Sequence, residues 1–174
     1  MTSTVNCNGL YNQHKVSRKI CIPFSNISEF NRIEEHLKHV VSSEIDGKCI
    51  PEGFVKPGSC NLQCFSVGTF SAGNIQFVLN IDCMICCPKE GMVLSCIAKT
   101  VTQAGIRAHA LTEPSPVVVY VSREMHDAVS KNRLIANSID SVKPGDMIHI
   151  RVVGKRFELN DKHVSVIGEL VPMV

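Results

Sequence analysis

The sequence predicts an α+β N-terminal domain followed by an all-β barrel of the OB-fold type. Three features carry this expectation: an early amphipathic helix, a long alternating strand that stops at Pro88, and five short strand-like runs after it. A helix and strand first, then strands alone, describe two differently built layers rather than one repeating α/β unit.

The helix is read from Phe30, Ile33, Leu37, Val40, Val41 and Ile45, which recur at helical spacing and form one apolar stripe. Asn26 followed by Glu29 resembles a capping box, with Ser28 as a competing N-cap. Glu34 and Glu35 lie early and Lys38 and His39 later, as the helix dipole prefers, and Gly47 ends the helix.

The long strand follows. Ile75, Phe77, Leu79, Ile81, Cys83, Ile85 and Cys87 alternate with residues of the opposite face, a period of two. Pro88 stops the ladder, and Pro88-Lys89-Glu90-Gly91 makes a turn. This turn sets the expected division into domains at 1–88 and 89–174.

The five later runs cover 92–99, 105–111, 117–121, 147–153 and 163–171. Between the third and fourth lies a polar segment with an irregular helical pattern (Met125, Val129, Ile135, Ile139). Lys143-Pro144-Gly145-Asp146 then forms a turn before the fourth run. Five strands with a helical insert after the third is the OB layout.

Composition narrows the function. The 174 residues carry 18 Lys plus Arg against 16 Asp plus Glu, a formal net charge of +2. This argues against a surface that is basic throughout and against a highly charged disordered tail. Hydrophobic residues make up 44%, aromatics only 5%, and Trp is absent, so the core is aliphatic and wide stacking platforms are excluded. The second half, with 11 basic and 9 acidic residues, is the mildly basic one.

Nine cysteines, an odd number, together with a polar first ten residues, predict free thiols in an intracellular, reducing setting. The uncharged run 57–81 contains Asn61, Gln63, Asn74, Gln76 and Asn80, so it is not a membrane span and no membrane association is expected.

Several chemical motifs fail on context. Cys60 and Cys64 with Cys83 and Cys86 have roughly zinc-ribbon separation, but Cys83 and Cys86 fall on opposite faces of the alternating strand. They read as buried thiols. His36 and His39 read as solvated helix residues, because the His-Glu-x-x-His order is absent. The run 68–73 lacks the Lys of a phosphate loop, and a strand rather than a helix follows it. No catalytic set, metal site or cofactor is expected.

A binding face remains. Ile106, Ala108 and Ala110 point inward, which leaves Arg107 and His109 outside; Val117, Val119 and Val121 point inward, which leaves Tyr120 outside. OB folds bind oligonucleotides on the face of strands two and three. Lys155 and Arg156 add phosphate-binding charges beside Phe157, a ring able to stack a base. These six residues are the candidate RNA-binding set.

The order of segments also resembles a known family. The helix ending in Glu44-Ile45-Asp46-Gly47-Lys48 is followed by Gly53-Phe54-Val55, the 75–85 strand and Pro88-Lys89-Glu90-Gly91-Met92-Val93. Gly105-Ile106-Arg107 and Val166-Ile167-Gly168-Glu169-Leu170 come after them. Together, over about residues 20–171, they resemble the stalk subunit of multisubunit DNA-directed RNA polymerases: the seventh subunit of eukaryotic RNA polymerase II, or its archaeal E-prime counterpart.

The resemblance implies an N-terminal tip domain that docks on the polymerase core subunits, a C-terminal OB barrel, a fourth-subunit-like stalk partner and contact with nascent RNA. It implies no catalytic activity. Where the family has aromatics and a glycine-rich loop before the barrel, this chain has Cys86-Cys87-Pro88. That drift and the cysteine content fit a polymerase of a large DNA virus, working in a cytoplasmic viral factory or virion; a cellular counterpart works in the nucleus. The alternative is a free-standing OB-fold module for single-stranded RNA, of the exosome-cap or translation-factor type.

Overall fold

The computed structural model describes residues 10–26, 32–112, 115–124, 139 and 141–171. The first half forms a six-stranded sheet from β1 (Tyr11–Pro23), β2 (Cys49–Ile50), β3 (Gly53–Val55), β4 (Asn61–Phe65), β5 (Thr69–Ser71) and β6 (Asn74–Cys86), with helix α1 (Ile33–Glu44) after β1. The expected long strand is β6, the axis of this sheet. β1 pairs with it antiparallel along its whole length, from Tyr11 opposite Cys86 to Pro23 opposite Asn74. The other side of β6 is shared in tandem by β5, β4 and β3.

Alternation on β6 produces the core. Ile75, Phe77, Leu79, Ile81, Cys83 and Ile85 are all buried, and Ile22, Ile20 and Val16 of β1 lie opposite Ile75, Phe77 and Ile81. Leu37 and Val41 of α1, with Ile45 at its end, are buried in the same cluster. Each such aliphatic side chain contributes about 1.5–3 kcal/mol on burial. Gly53 is required where it stands: its φ is +141°, and a Cβ there would lie 2.6 Å from the Cys86 carbonyl oxygen.

The helix start differs from expectation. Asn26 closes a short 3-10 turn (Phe24–Asn26), and the helix begins at Ile33 after Arg32, which makes no side-chain capping bond. Ser28, Glu29 and Phe30 lie outside the described residues. Glu34 and Glu35 in the first turn favour the N-terminal dipole, and Lys38 pairs with Glu34 at 2.7 Å. At the other end Lys48 Nζ donates to the Ser43 carbonyl at 2.6 Å, and Gly47 turns the chain with φ +70°.

The second half closes a barrel from β7 (Val93–Thr102), β8 (Gly105–Ala110), β9 (Val117–Ser122), β10 (Met147–Arg156) and β11 (Val164–Val171). These are the five expected strands, shifted by a few residues at their ends. Around the barrel the order is β7, β8, β9, β11, β10 and back to β7, with β9 and β11 parallel and the other pairs antiparallel. Numbered within the barrel this is 1-2-3-5-4, an OB-like arrangement. The expected inward rows, Ile106, Ala108 and Ala110 with Val117, Val119 and Val121, are buried, and Ile148, Ile150 and Val152 form the inward row of β10. Of the helical pattern between β9 and β10, Ile139 is fully buried in this core, whereas Met125, Val129 and Ile135 lie outside the described residues.

Both predicted turns form. Lys143 N–H donates to Asp146 Oδ2 at 2.8 Å, and Gly145 N–H reaches the Ala98 carbonyl at 2.7 Å. Met92 N–H closes on the Lys89 carbonyl at 3.2 Å, and Gly91 N–H donates to Val152 O at 2.8 Å. Sheet and barrel also pack on each other. Leu10, Cys49, Phe54 and Cys86 join the barrel's apolar cluster, and Cys49 exchanges backbone bonds with Asp161 and Asn160 at 2.8 and 2.9 Å.

Candidate nucleic-acid interface

Register defines the outer face of the barrel. Arg107 on β8 stands directly opposite Tyr120 on β9, and Ile167 of β11 continues the row. Tyr120 and Ile167 are exposed to 42% and 47%, so a ring and an aliphatic side chain lie open beside a guanidinium. On the next outward row His109 opposes Val118, which neighbours Ser165, which pairs with Arg156. Arg107, His109 and Tyr120 therefore share one surface, whereas Arg156 lies on the far side of the closed barrel. Arg156 stands three strand spacings of about 4.8 Å from His109.

Lys155 and Phe157 depart from that surface. A β-bulge between Val152 and Gly154 shifts the register, so Lys155 pairs with the inward residue Val166. Its ammonium is carried to the junction with the sheet, where Nζ donates to Cys87 Sγ at 2.9 Å. Phe157 is partly buried, with its ring packed against the barrel core. Strict alternation from Ile148, Ile150 and Val152 places Lys155 outside and Arg156 inside; the bulge exchanges their register, and both side chains are exposed.

The electrostatics single out a second group. The His109 imidazole is held below its usual range by partial burial, then by Arg107, Lys99 and His163 in decreasing order. Two cationic side chains, Arg107 and Lys99, thus lie on one side of the barrel, a field that favours an anion. Beside them lies a groove of about 770 Å³ lined by residues including Ile97, Lys99, His109, Leu111, Thr112 and Ser115. Lys99 follows the inward Leu94, Cys96, Ala98 row to the outside, at a bulge between Ala98 and Thr100. Sequence periodicity does not foresee His163, one residue before β11.

The other motifs resolve as structure. Cys83 is buried in the sheet core and Cys86 in the barrel cluster, on the two faces of β6. Cys64 is exposed on β4, where Asn80 Nδ2 donates to its sulfur at 3.3 Å. Among the described residues no group of three or more His, Cys, Asp and Glu side chains is placed to hold a metal ion. The run 68–73 forms β5 and a turn at Ala72 and Gly73 that leads into β6. Among the described residues no helix is long and apolar enough to cross a membrane.

No family model matches the chain. The chain is similar to a protein of Acanthamoeba polyphaga mimivirus described as a "Putative DNA-directed RNA polymerase subunit", with 19% identity over 173 residues, covering 94% of this chain and 83% of the relative. The likeness thus runs through both the sheet and the barrel, and it is to a subunit of the enzyme whose stalk the order of segments resembles.

Proposed function

We propose that this chain is a non-catalytic subunit of a viral DNA-directed RNA polymerase, occupying the stalk position. The sheet half, 1–88, serves as the tip domain that docks on the core subunits. The barrel half, 89–174, guides nascent RNA across the outer face of β8 and β9. A fourth-subunit-like stalk partner completes the assembly, which works in a cytoplasmic viral factory or is packaged in the virion.

The observation that carries this reading is the near full-length likeness to the mimivirus polymerase subunit. The OB-like strand order and the cationic Arg107 and Lys99 beside His109 support the RNA-guiding half of it. The exposed aromatic pair Phe24 and Phe70, with ring centroids 5.9 Å apart, supports a docking role for the sheet half.

Affinity purification of the tagged chain from its native source tests the proposal. Co-recovery with the large polymerase subunits is the expected result. Recovery without them, but with bound RNA, would instead favour a free-standing OB-fold RNA-binding module.

A further inference from the structure

We infer that Cys60 and Cys83 form a redox-responsive pair that closes into a cross-strand disulfide between β4 and β6 when the protein meets a peroxide. This goes beyond the polymerase reading and does not depend on it. The register places the two residues. Asn61 pairs with Asp82 and Leu62 with Ile81, while Met84 N–H donates to Ser59 Oγ at 3.1 Å. Cys60 is bracketed by these contacts and stands opposite Cys83.

Opposed residues on antiparallel strands have Cβ atoms about 4.5–5.5 Å apart, and a disulfide needs about 3.5–4.5 Å. A small movement of one strand closes that gap. β4 is suited to it: it pairs only with β6 among the described strands, and its ladder is already broken by a bulge between Leu62 and Cys64.

The surroundings favour this pair over the other thiols. Cys83 is 2% exposed in the sheet core and Cys60 is half-buried against the same core, both unbridged. The facing Cys83 thiol, followed by burial and Asp46, holds Cys60 well above the usual thiol range, while Cys60 in turn draws Cys83 down. The pair is thus polarised, with Cys83 the better nucleophile and Cys60 the resolving thiol. Asp46 itself is occupied, accepting from Gly58 N–H at 2.9 and 2.8 Å.

The chemistry balances with hydrogen peroxide, which is small enough for a shielded site. The Cys83 thiolate attacks one peroxide oxygen, the O–O bond breaks, and the departing hydroxide takes up a proton to become water. Cys60 sulfur then attacks the Cys83 sulfenic acid; the S–O bond breaks and the hydroxyl leaves as a second water with the Cys60 proton. Two electrons pass from the two thiols to one peroxide. The product ties β4, on which α1 packs, to the central strand.

Treating the full chain with hydrogen peroxide, then blocking free thiols and mapping peptides without reduction, tests the inference. The expected product is a Cys60–Cys83 linked peptide pair that has lost two hydrogens. The oxidised protein should also melt at a higher temperature than the reduced one, because the cross-link restricts the unfolded chain. Cys60→Ser should fold, lose the linked peptides and lose the melting shift. A bridge between other cysteines, over-oxidation of Cys83 with Cys60 still free, or an unchanged shift in Cys60→Ser would each overturn it.

Discussion

Arg107 and Tyr120 face each other across the β8–β9 ladder, so the barrel presents a guanidinium and an exposed ring side by side on its outer surface. This pairing lets one residue meet a phosphate while the other meets a base. Under the proposed function, Tyr120→Ala should weaken single-stranded RNA binding by about 1–3 kcal/mol, the loss of one stacked base. Lys99→Ala with Arg107→Ala should flatten the logarithmic salt slope by about 0.7 for each phosphate no longer neutralised. Fluorescence anisotropy over a salt series measures both. An unchanged slope would remove this face from the RNA path.

The bulge on β10 separates two residues that lie next to each other in sequence. Arg156 stands exposed on the outer wall of the barrel opposite Ser165, whereas Lys155 reaches Cys87 at the junction. Arg156→Ala is therefore expected to reduce RNA affinity, and Lys155→Ala to leave it unaltered. The second variant should instead expose Cys87 to thiol reagents. Equal loss of RNA affinity in both variants would contradict the divergence.

These two residues mark a limit on what is legible in the sequence. β6 is readable because six inward positions in a row are apolar. β1 is just as long but gives no such signal. Its inward row runs Val16, Arg18, Ile20, Ile22, and the break at Arg18 is tolerated because Glu52 pairs with its guanidinium. Asn12, Gln13, His14 and Lys15 dilute the pattern further. The barrel strands are legible because Val and Ile alternate in short runs between turns. Within the candidate face, Arg107, His109 and Tyr120 follow from parity alone. The register of Lys155 and Arg156 does not, since the bulge after Val152 resets the alternation locally.

Acidification should affect folding and RNA binding in opposite directions. The folded-state pKa of His109 lies below that of an unfolded histidine, so below about pH 6.5 the unfolded chain binds more protons there. The stability owed to neutral His109 is fully present above that pH and is lost as pH falls through the lowered folded value. A bound phosphate adds the missing negative charge and favours the imidazolium, so RNA affinity should rise over the same interval. His109→Gln should diminish both trends. Denaturant melts and RNA titrations at several pH values check this, and an identical pH profile in wild type and His109→Gln would refute it.

The sheet half should be separable from the barrel in function. Phe24 and Phe70 pack edge to face yet remain 50% and 65% exposed, with Val67 nearby in sequence at 93%. An aromatic pair held this far out of the core contributes little to folding, so replacing one ring by a charge should cost little stability. At an interface the same change is severe, because it places a carboxylate in a desolvated apolar contact. Phe70→Asp is therefore expected to leave the melting temperature and RNA affinity near wild type while sharply reducing co-purification with the polymerase core. Arg107→Ala should show the reverse pattern, retaining the core and losing RNA. If Phe70→Asp still recovers the core subunits at wild-type yield, docking does not run through this pair.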